Sequence, residues 1–226
     1  MKYCNIVKGS FLSRPNRFIA KAIIDGREEI VHVKNTGRCR ELLTTDASVY
    51  LERTNNPKRK TLYDLVAVEK GTKLINMDSQ APNKVFEEYL RSNAFIDSPE
   101  IIKPEYKWGN SGFDFFVKKE GREFLIEVKG VTLETYGECY FPDAPTQRGV
   151  KHIYELIAAR DAGYEACIVF IAQMSDAKFV APNDVTHPEF GKALRTAGEK
   201  GVKILAFNCE VSPETLEIKD AIPVKL

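Results

Sequence analysis

The chain has 226 residues with a formal net charge of +1, and 43% of its residues are hydrophobic. This length allows one large domain or two smaller ones, each able to bury a core. No apolar stretch approaches the roughly 20 residues that a membrane helix needs, and the N-terminal residues lack the apolar core of a signal peptide. These features argue against a membrane-spanning helix and predict a cytoplasmic protein.

The five cysteines are scattered, odd in number and without a Cys-x-x-Cys pair. We therefore expect reduced, mostly buried thiols rather than a disulfide framework or a zinc knuckle. The charges are uneven: residues 1–80 hold fifteen Lys or Arg against nine Asp or Glu, a balance of +6, and the remainder has a balance of −5. A basic half favours contact with a polyanion, although it also occurs in proteins that bind no nucleic acid.

Short strands dominate residues 1–80. Strands are predicted at 18–24 and 29–33, joined by the turn Asp25-Gly26, and again at 49–53, 61–69 and 73–76. About five strands within about 75 residues are typical of a small barrel such as the OB fold, whose face and loops bind oligonucleotides. We therefore predict an OB-like nucleic-acid-binding domain over residues 1–80.

Strands and helices alternate in residues 81–226. A helix is predicted to begin at Ala81, before strands at 101–108, 113–117 and 124–131. A proline-containing loop at 140–146 leads into a helix through about residue 161, a strand at 166–172, a helix at 190–200 and a strand at 202–207. This pattern predicts an α/β domain with a mixed, partly parallel sheet flanked by helices.

The strands at 113–117 and 124–128 carry the clearest chemical signal. Gly121 marks a tight turn between them, so they form an antiparallel hairpin. Because side chains alternate along a strand, Glu127 and Lys129 emerge on one face, and Asp114 lies on the neighbouring strand. Two carboxylates suit Mg²⁺, and a lysine can position a water or neutralise a phosphorane. The alternative is an ordinary acid–base pair on a solvated sheet face.

A polar stripe follows on the next helix. Arg148, Lys151, His152 and Glu155 lie at i, i+3, i+4 and i+7, so they share one helix face. This stripe is either an ordinary solvated face or the wall of the metal cleft. In the second case Arg148 or Lys151 contacts substrate phosphate, and His152 assists by hydrogen bonding or proton transfer.

Two basic segments of the N-terminal part are candidate phosphate contacts. Gly37 lets the backbone approach a phosphate, which Arg38 and Arg40 can bind. A turn with two solvated arginines fits the segment equally well. The run Lys58, Arg59 and Lys60 predicts a basic loop that contacts a nucleic-acid backbone without reading its sequence.

Motifs spread over almost the entire chain occur in the order found in one known family. They are Asn35-Thr36-Gly37-Arg38, Asn83 with Glu88, Glu105-Tyr106-Lys107-Trp108-Gly109, Asp114-Phe115, Glu127-Val128-Lys129, Val131-Thr132-Leu133, Phe141-Pro142-Asp143-Ala144, Arg148-Gly149 and Lys151-His152. In these motifs the chain resembles the sugar fermentation stimulation protein A family. It departs at Lys34, where the family commonly has proline, and at Pro145, where valine is usual.

The resemblance implies an OB-like domain joined to a PD-(D/E)XK restriction-endonuclease-like domain over residues 81–226, and an association with DNA. Helical periodicity alone does not choose between Glu87 and Glu88, whereas the family position matches Glu88. The implied ligands of Mg²⁺ or Mn²⁺ are Asp114, Glu127, the Val128 carbonyl and Glu88, and the implied catalytic residues are Asp114, Glu127, Lys129 and Glu88.

The expected function is that of a divalent-metal-dependent nuclease acting on DNA, with RNA as a further substrate. The alternative is a non-catalytic DNA-binding regulatory protein, linked to sugar metabolism, that retains a nuclease fold. Direct sugar chemistry has little support, because no phosphate-binding glycine loop, Gly-x-Ser-x-Gly motif or dinucleotide fingerprint is present. The sequence leaves the oligomeric state open, a homodimer included.

Overall fold

The computed structural model describes residues 1–35, 37–56 and 58–226. The N-terminal strands are β1 (Ile6–Asn16), β2 (Ile19–Ile24), β3 (Arg27–Val33), β4 (Ser48–Arg53), β5 (Tyr63–Lys70) and β6 (Lys73–Asn76). They are followed by α1 (Ala81–Arg91), β7 (Ile101–Trp108), β8 (Ser111–Lys119), β9 (Arg122–Val131), β10 (Glu134–Thr135), β11 (Glu138–Phe141), α2 (Gln147–Asp161), β12 (Glu165–Ala172), β13 (Phe179–Pro182), α3 (Pro188–Glu199), β14 (Lys203–Val211) and β15 (Leu216–Ile222).

Strands β1 to β5 close into a barrel. β1 pairs antiparallel with β2 and β4, β2 with β3, and β4 with β5, while β3 and β5 complete the ring in parallel. Side chains alternate between the barrel interior and the outside, as in β2, where Ala20, Ala22 and Ile24 are buried. The barrel confirms the predicted OB-like N-terminal part.

A six-stranded mixed sheet forms the C-terminal part, in the order β15-β14-β12-β9-β8-β7. β9, β12 and β14 run parallel, and the outer strands pair antiparallel. The apolar side of α1, including Phe86, packs over one face of this sheet, whereas α2 and α3 contribute Leu156 and Phe190 to the core on the other. The predicted mixed sheet flanked by helices is therefore confirmed.

Five strands are absent from the sequence prediction: β1, β10, β11, β13 and β15. β1 contains Gly9 and Pro15 and shifts register twice against β2, which obscures its alternation. β11 occupies the start of the predicted loop at 140–146, and it pairs in parallel with β13 across a long stretch of sequence. The edge strand β15 is mostly exposed and charged, so it lacks the apolar pattern of a buried strand.

The barrel and the mixed sheet share a continuous interior. One cluster of buried apolar residues includes both Leu51 of β4 and Phe170 of β12. The Tyr3 amide donates to the Glu214 carbonyl at 2.7 Å, so the first residues pack on the C-terminal part although they fall in the range 1–80. No helix of the described residues is long and apolar enough to cross a membrane.

Candidate metal and nucleic-acid site

Asp114 lies where strand β8 separates from β9. The β8–β9 ladder runs from Lys119↔Arg122 to Phe115↔Ile126, and beyond it the Val128 amide donates to Asp114 Oδ2 at 2.7 Å. The other oxygen, Oδ1, accepts from the Asn83 side chain of α1 at 2.7 Å. Two hydrogen bonds from different elements therefore fix the orientation of this carboxylate, at the end of a strand pair that opens into a cleft.

Glu127 is almost fully buried on the neighbouring strand. Its Oε1 accepts hydrogen bonds from Lys129 Nζ and from His152 Nδ1 of α2. Arg148 Nε donates to His152 Nε2 at 3.3 Å, an arrangement in which Nδ1 carries the proton that reaches Glu127. Among the described residues, Oε2 has no hydrogen-bond partner, so one oxygen of this carboxylate is held and the other is available.

The pKa values of Asp114 and Glu127 are shifted in opposite directions. Burial, followed by the negative charge of Glu127, raises the pKa of Asp114 above its ordinary value. Burial also acts to raise the pKa of Glu127, but the contacts with His152 and Lys129 outweigh it and lower that pKa. A cation between the acids would relieve the desolvation and repulsion felt by Asp114.

The donor set fits a hard divalent ion. No group of three or more His, Cys, Asp or Glu side chains in the described parts of the chain is arranged to hold a metal. Mg²⁺ does not need such a cage, because it keeps several waters and binds through one or two carboxylates plus substrate phosphates. The two acids on adjacent strands therefore suit Mg²⁺ or Mn²⁺ and not a fully protein-coordinated ion.

The position inferred for Glu88 requires correction. Its carboxylate lies 2.7 Å from the Met1 amino group, and its side chain is 60% exposed. Asn83, which contacts Asp114, lies one helical turn before Glu87, so Glu88 points to a different side of α1. Glu87 instead lines a cavity of about 400 Å³ that Asp114 also lines, together with Lys84. The family resemblance had pointed to Glu88, but Glu87 is the one of the two that lines this cavity.

The loop after β3 meets the loop after β11. Asp143 Oδ2 accepts from the Arg38 amide at 3.0 Å, and Arg14 donates to the carbonyls of Gly37 and Arg38 at 2.8 and 2.9 Å. A Cβ on Gly37 would lie 2.3 Å from Asp143 Oδ2, so only glycine fits without movement. The predicted motif also includes Thr36, which lies outside the described residues.

The side chains of Arg38 and Arg40 are exposed, as phosphate contacts require. The contacts that position this loop were not predicted. Arg14 and Asp143 are separated from it by about 20 and 100 residues, and no local pattern reveals such a contact.

The basic loop divides into two kinds of residue. Arg59 forms a two-point ion pair with the buried Asp64, with one N–O distance of 2.8 Å, and His32 Nδ1 contacts the same carboxylate at 3.0 Å. The prediction that Arg59 binds phosphate is therefore corrected, because its guanidinium already serves a structural pair. Lys58 and Lys60 on either side of it are exposed.

The polar stripe of α2 also divides. His152 contacts Glu127, and Arg148 contacts His152 while staying exposed, so these two residues line the acid cluster. Lys151 is 67% exposed and pairs with Glu155 at 3.3 Å. The stripe is therefore divided: His152 and Arg148 meet the acid cluster, and Lys151 meets solvent.

These features define a class of protein in which an OB-type barrel precedes a mixed sheet with a buried acid pair. Residues 12–77 match the family model described as the SfsA N-terminal OB domain, and residues 80–215 match the sugar fermentation stimulation protein RE domain. The chain belongs to the sugar fermentation stimulation protein (SfsA) family.

Relatives support this assignment over the full length. The sugar fermentation stimulation protein homolog of Desulfitobacterium hafniense (strain DSM 10664 / DCB-2) is 56% identical, over 100% of this chain and 99% of that protein. The homolog of Clostridium beijerinckii is 50% identical over all of both chains. A structure of Pyrococcus furiosus SfsA in complex with Ca²⁺ aligns with a TM-score of 0.91 at 29% identity, over 100% of this chain and 98% of that one.

Proposed function

We propose that this protein is a divalent-metal-dependent nuclease that hydrolyses phosphodiester bonds in DNA, with RNA as a further substrate. One observation carries the proposal: Asp114 and Glu127 are held on adjacent strands, and Lys129 and His152 bind a single oxygen of Glu127. A buried acid pair with an ammonium beside it is costly to maintain as a structural feature alone. It is the donor set that a PD-(D/E)XK site requires.

Mg²⁺ or Mn²⁺ would be held by Asp114, Glu127 and the Val128 carbonyl. When bound, such an ion lowers the pKa of a water and stabilises charge on the phosphate. The Ca²⁺ complex of the Pyrococcus furiosus relative supports an oxygen-ligated divalent site, because Ca²⁺ and Mg²⁺ both prefer oxygen ligands. Glu88 is not included in this set, since its carboxylate pairs with the Met1 amino group.

The remaining residues of the cluster act on charge and orientation. Lys129 is placed to orient the attacking water or to neutralise negative charge that develops on the phosphorane. His152 holds Glu127 by its Oε1 atom, and Arg148 fixes the His152 tautomer. Arg148 is exposed next to the cluster, where its guanidinium can bind a substrate phosphate.

The OB-type barrel supplies nucleic-acid affinity in this proposal. Its charge balance is positive, and Lys58 and Lys60 project from the β4–β5 loop. OB-fold loops commonly contact oligonucleotides, and lysines near phosphates give affinity that falls with added salt. DNA is therefore the proposed partner of the barrel, and the acid pair is the proposed cleavage site.

The test is cleavage of labelled DNA and RNA in Mg²⁺, Mn²⁺ or EDTA. We expect metal-dependent cleavage by the wild-type protein and a loss of about 100-fold or more for Lys129→Ala and for Glu127→Gln, because each removes charge stabilisation at the site. Glu88→Gln is the matched control and is expected to cleave at the wild-type rate.

Two results would contradict the proposal. Cleavage that persists in EDTA or in both site variants would indicate a contaminating nuclease. DNA binding without cleavage of any substrate would favour the non-catalytic regulatory protein instead.

A further inference from the structure

A second cavity, termed here the junction cavity, lies between the barrel and the mixed sheet, and the acid cluster does not account for it. Its walls come from three sequence motifs outside that cluster: the loop after β3, the residues just after β9, and the segment that begins at the end of β11. The lining includes Asn35, Gly37, Thr132, Leu133, Phe141 and Asp143. The cavity has a volume of about 170 Å³. Ligand pockets usually exceed about 300 Å³, so this one has room for a single small ring system.

The junction cavity adjoins the cavity that Asp114 lines. Ser79 lines both of them. Gly130, which directly follows Lys129 on β9, also lines the junction cavity. A nucleic-acid strand with a phosphate at the acid pair can therefore place a neighbouring base in the junction cavity.

Gln173 brings an unpaired acceptor to this cavity. It is only 1% exposed, and its Nε2 donates to Asn76 Oδ1 at 2.8 Å and to the Asp78 carbonyl at 3.0 Å. Because a carbonyl can only accept, this contact fixes the orientation of the amide and identifies the other atom as the oxygen. Among the described residues Oε1 has no hydrogen-bond partner. Leaving a buried acceptor without a donor costs free energy, so Oε1 indicates a ligand group that donates to it.

Asp143 brings a second acceptor. Its Oδ2 accepts from the Arg38 amide at 3.0 Å, and its Oδ1 has no hydrogen-bond partner in the described parts of the chain. Glycines leave both acceptors uncovered. A Cβ on Gly130 would lie 2.6 Å from Gln173 Oε1. A Cβ on Gly37 would lie 2.3 Å from Asp143 Oδ2. A ligand that satisfies these two acceptors must present N–H or O–H donors.

We propose that the junction cavity holds one nucleobase that carries an exocyclic amino group, with its N–H groups donating to Gln173 Oε1 and Asp143 Oδ1. Leu133 and Phe141 give the cavity apolar walls, which suit the faces of a planar ring. Guanine, adenine and cytosine carry an amino group, whereas uracil and thymine present carbonyl oxygens that the Asp143 carboxylate repels.

This assignment restricts the substrate. A base stacked in a duplex cannot enter the cavity, so the nucleotide must be unpaired or rotated out of the helix. The inference rests on the proposed nuclease function and names its substrate class: nucleic acid with an accessible amino-bearing base next to the cleaved phosphate.

Labelled oligo(dC) and oligo(dU) of equal length test the inference, because cytosine has an amino group where uracil has a carbonyl and the rings are the same size. Fluorescence anisotropy measures their affinity in Mg²⁺ with the Lys129→Ala variant, so that cleavage does not remove the ligand. We expect oligo(dC) to bind about fivefold or more tightly than oligo(dU). Adding Asp143→Asn keeps an oxygen for the Arg38 amide but introduces an N–H donor, so the preference should fall to within about twofold. Adding Asp161→Asn instead removes an exposed charge at the end of α2 and is the matched control.

A strand of cytosines dimethylated at the amino group provides a second readout that needs no further change in the protein. The methyl groups replace both amino hydrogens and leave the ring in place, so this strand should bind no more tightly than oligo(dU). Equal affinity for oligo(dC) and oligo(dU) would overturn the inference. So would a cytosine preference that survives Asp143→Asn, or a dimethylated strand that binds as tightly as oligo(dC).

The two proposals fail separately. Metal-dependent cleavage by the wild-type protein, with no difference in binding between cytosine and uracil strands, would refute the assignment of the junction cavity and keep the nuclease. A cytosine preference that depends on Asp143, in a protein that cleaves nothing, would refute the nuclease and keep the cavity as a base-binding site.

Discussion

Gly37 lies in the loop after β3, at a position with no room for a side chain. An alanine there would place Cβ 2.3 Å from Asp143 Oδ2 and 2.9 Å from Asn35 Oδ1. We expect Gly37→Ala to lower the free energy of unfolding by roughly 1–3 kcal/mol, because the loop or Asp143 must move. Gly112→Ala is the control, since a Cβ there meets nothing within 4 Å. Guanidinium unfolding curves with the same midpoint for both variants would contradict this assignment.

Individual site residues differ in how far their roles follow from the sequence. One hairpin and the alternation of side chains along its strands determine the placement of Asp114, Glu127 and Lys129. Both features are local in the sequence. The choice between Glu87 and Glu88 depends on how α1 rotates against the sheet, which neighbouring residues do not encode. The role of Arg59 depends on Asp64, whose carboxylate is brought under the loop by barrel closure. Such contacts arise only from the tertiary fold.

At the scale of elements, β10 attaches the C-terminal part to the β5–β6 hairpin. Glu134 of β10 contacts Lys70 Nζ at 2.9 Å and Lys73 Nζ at 2.5 Å. Burial acts to raise its pKa, but these lysines and the Gly137 amide outweigh it and lower the pKa of Glu134 to about 2. The carboxylate is almost fully buried, so it links the two parts as a negative charge between two cations.

This ion pair predicts an acid-dependent stability. Because the folded pKa of about 2 is below the ordinary value of 4.5, the contribution is complete above about pH 4.5 and is lost as the pH falls towards 2. We expect Glu134→Gln to lower the unfolding free energy by roughly 2–3 kcal/mol at pH 7, a difference that shrinks below pH 4. Urea unfolding at several pH values measures it, with the exposed Glu217→Gln as control. A Glu134→Gln deficit that does not change with pH would contradict the proposed charge linkage.

Helices and strands could be predicted where neighbouring residues determine them. They were missed where their pairing partners are distant in the sequence or their side chains do not alternate regularly. The hairpins at Asp25-Gly26 and Gly121 and the three helices follow from turn residues and apolar periodicity. β11 and β13 are short and pair with each other across about 40 residues, and the only neighbour of β11 in sequence, β10, is two residues long. Edge strand β15 exposes most of its side chains, and the bulges of β1 break its period of two.

At the scale of the molecule, a buried polar network joins the barrel to the mixed sheet. Gln173 of the segment after β12 donates to Asn76 Oδ1 at 2.8 Å and to the Asp78 carbonyl at 3.0 Å. Asp78 is fully buried and pairs with Lys34 Nζ at 2.8 Å. These polar groups lie beside an apolar core that the barrel and the mixed sheet share. Separating the barrel from the sheet would therefore expose the polar network and the apolar core together. The barrel and the mixed sheet should therefore unfold as one unit.

Calorimetry of wild type and Gln173→Leu tests this coupling. We expect one transition in each protein, with calorimetric and van't Hoff enthalpies equal. Leucine leaves the Asn76 and Asp78 oxygens without their donor, at a cost of roughly 1–3 kcal/mol, which corresponds to a fall in Tm of about 2–12 °C for a chain of this size. The exposed Gln147→Leu serves as the control, with a much smaller shift. Two separate transitions, in which only one moves with Gln173→Leu, would show that the barrel and the mixed sheet fold independently and that the network does not couple them.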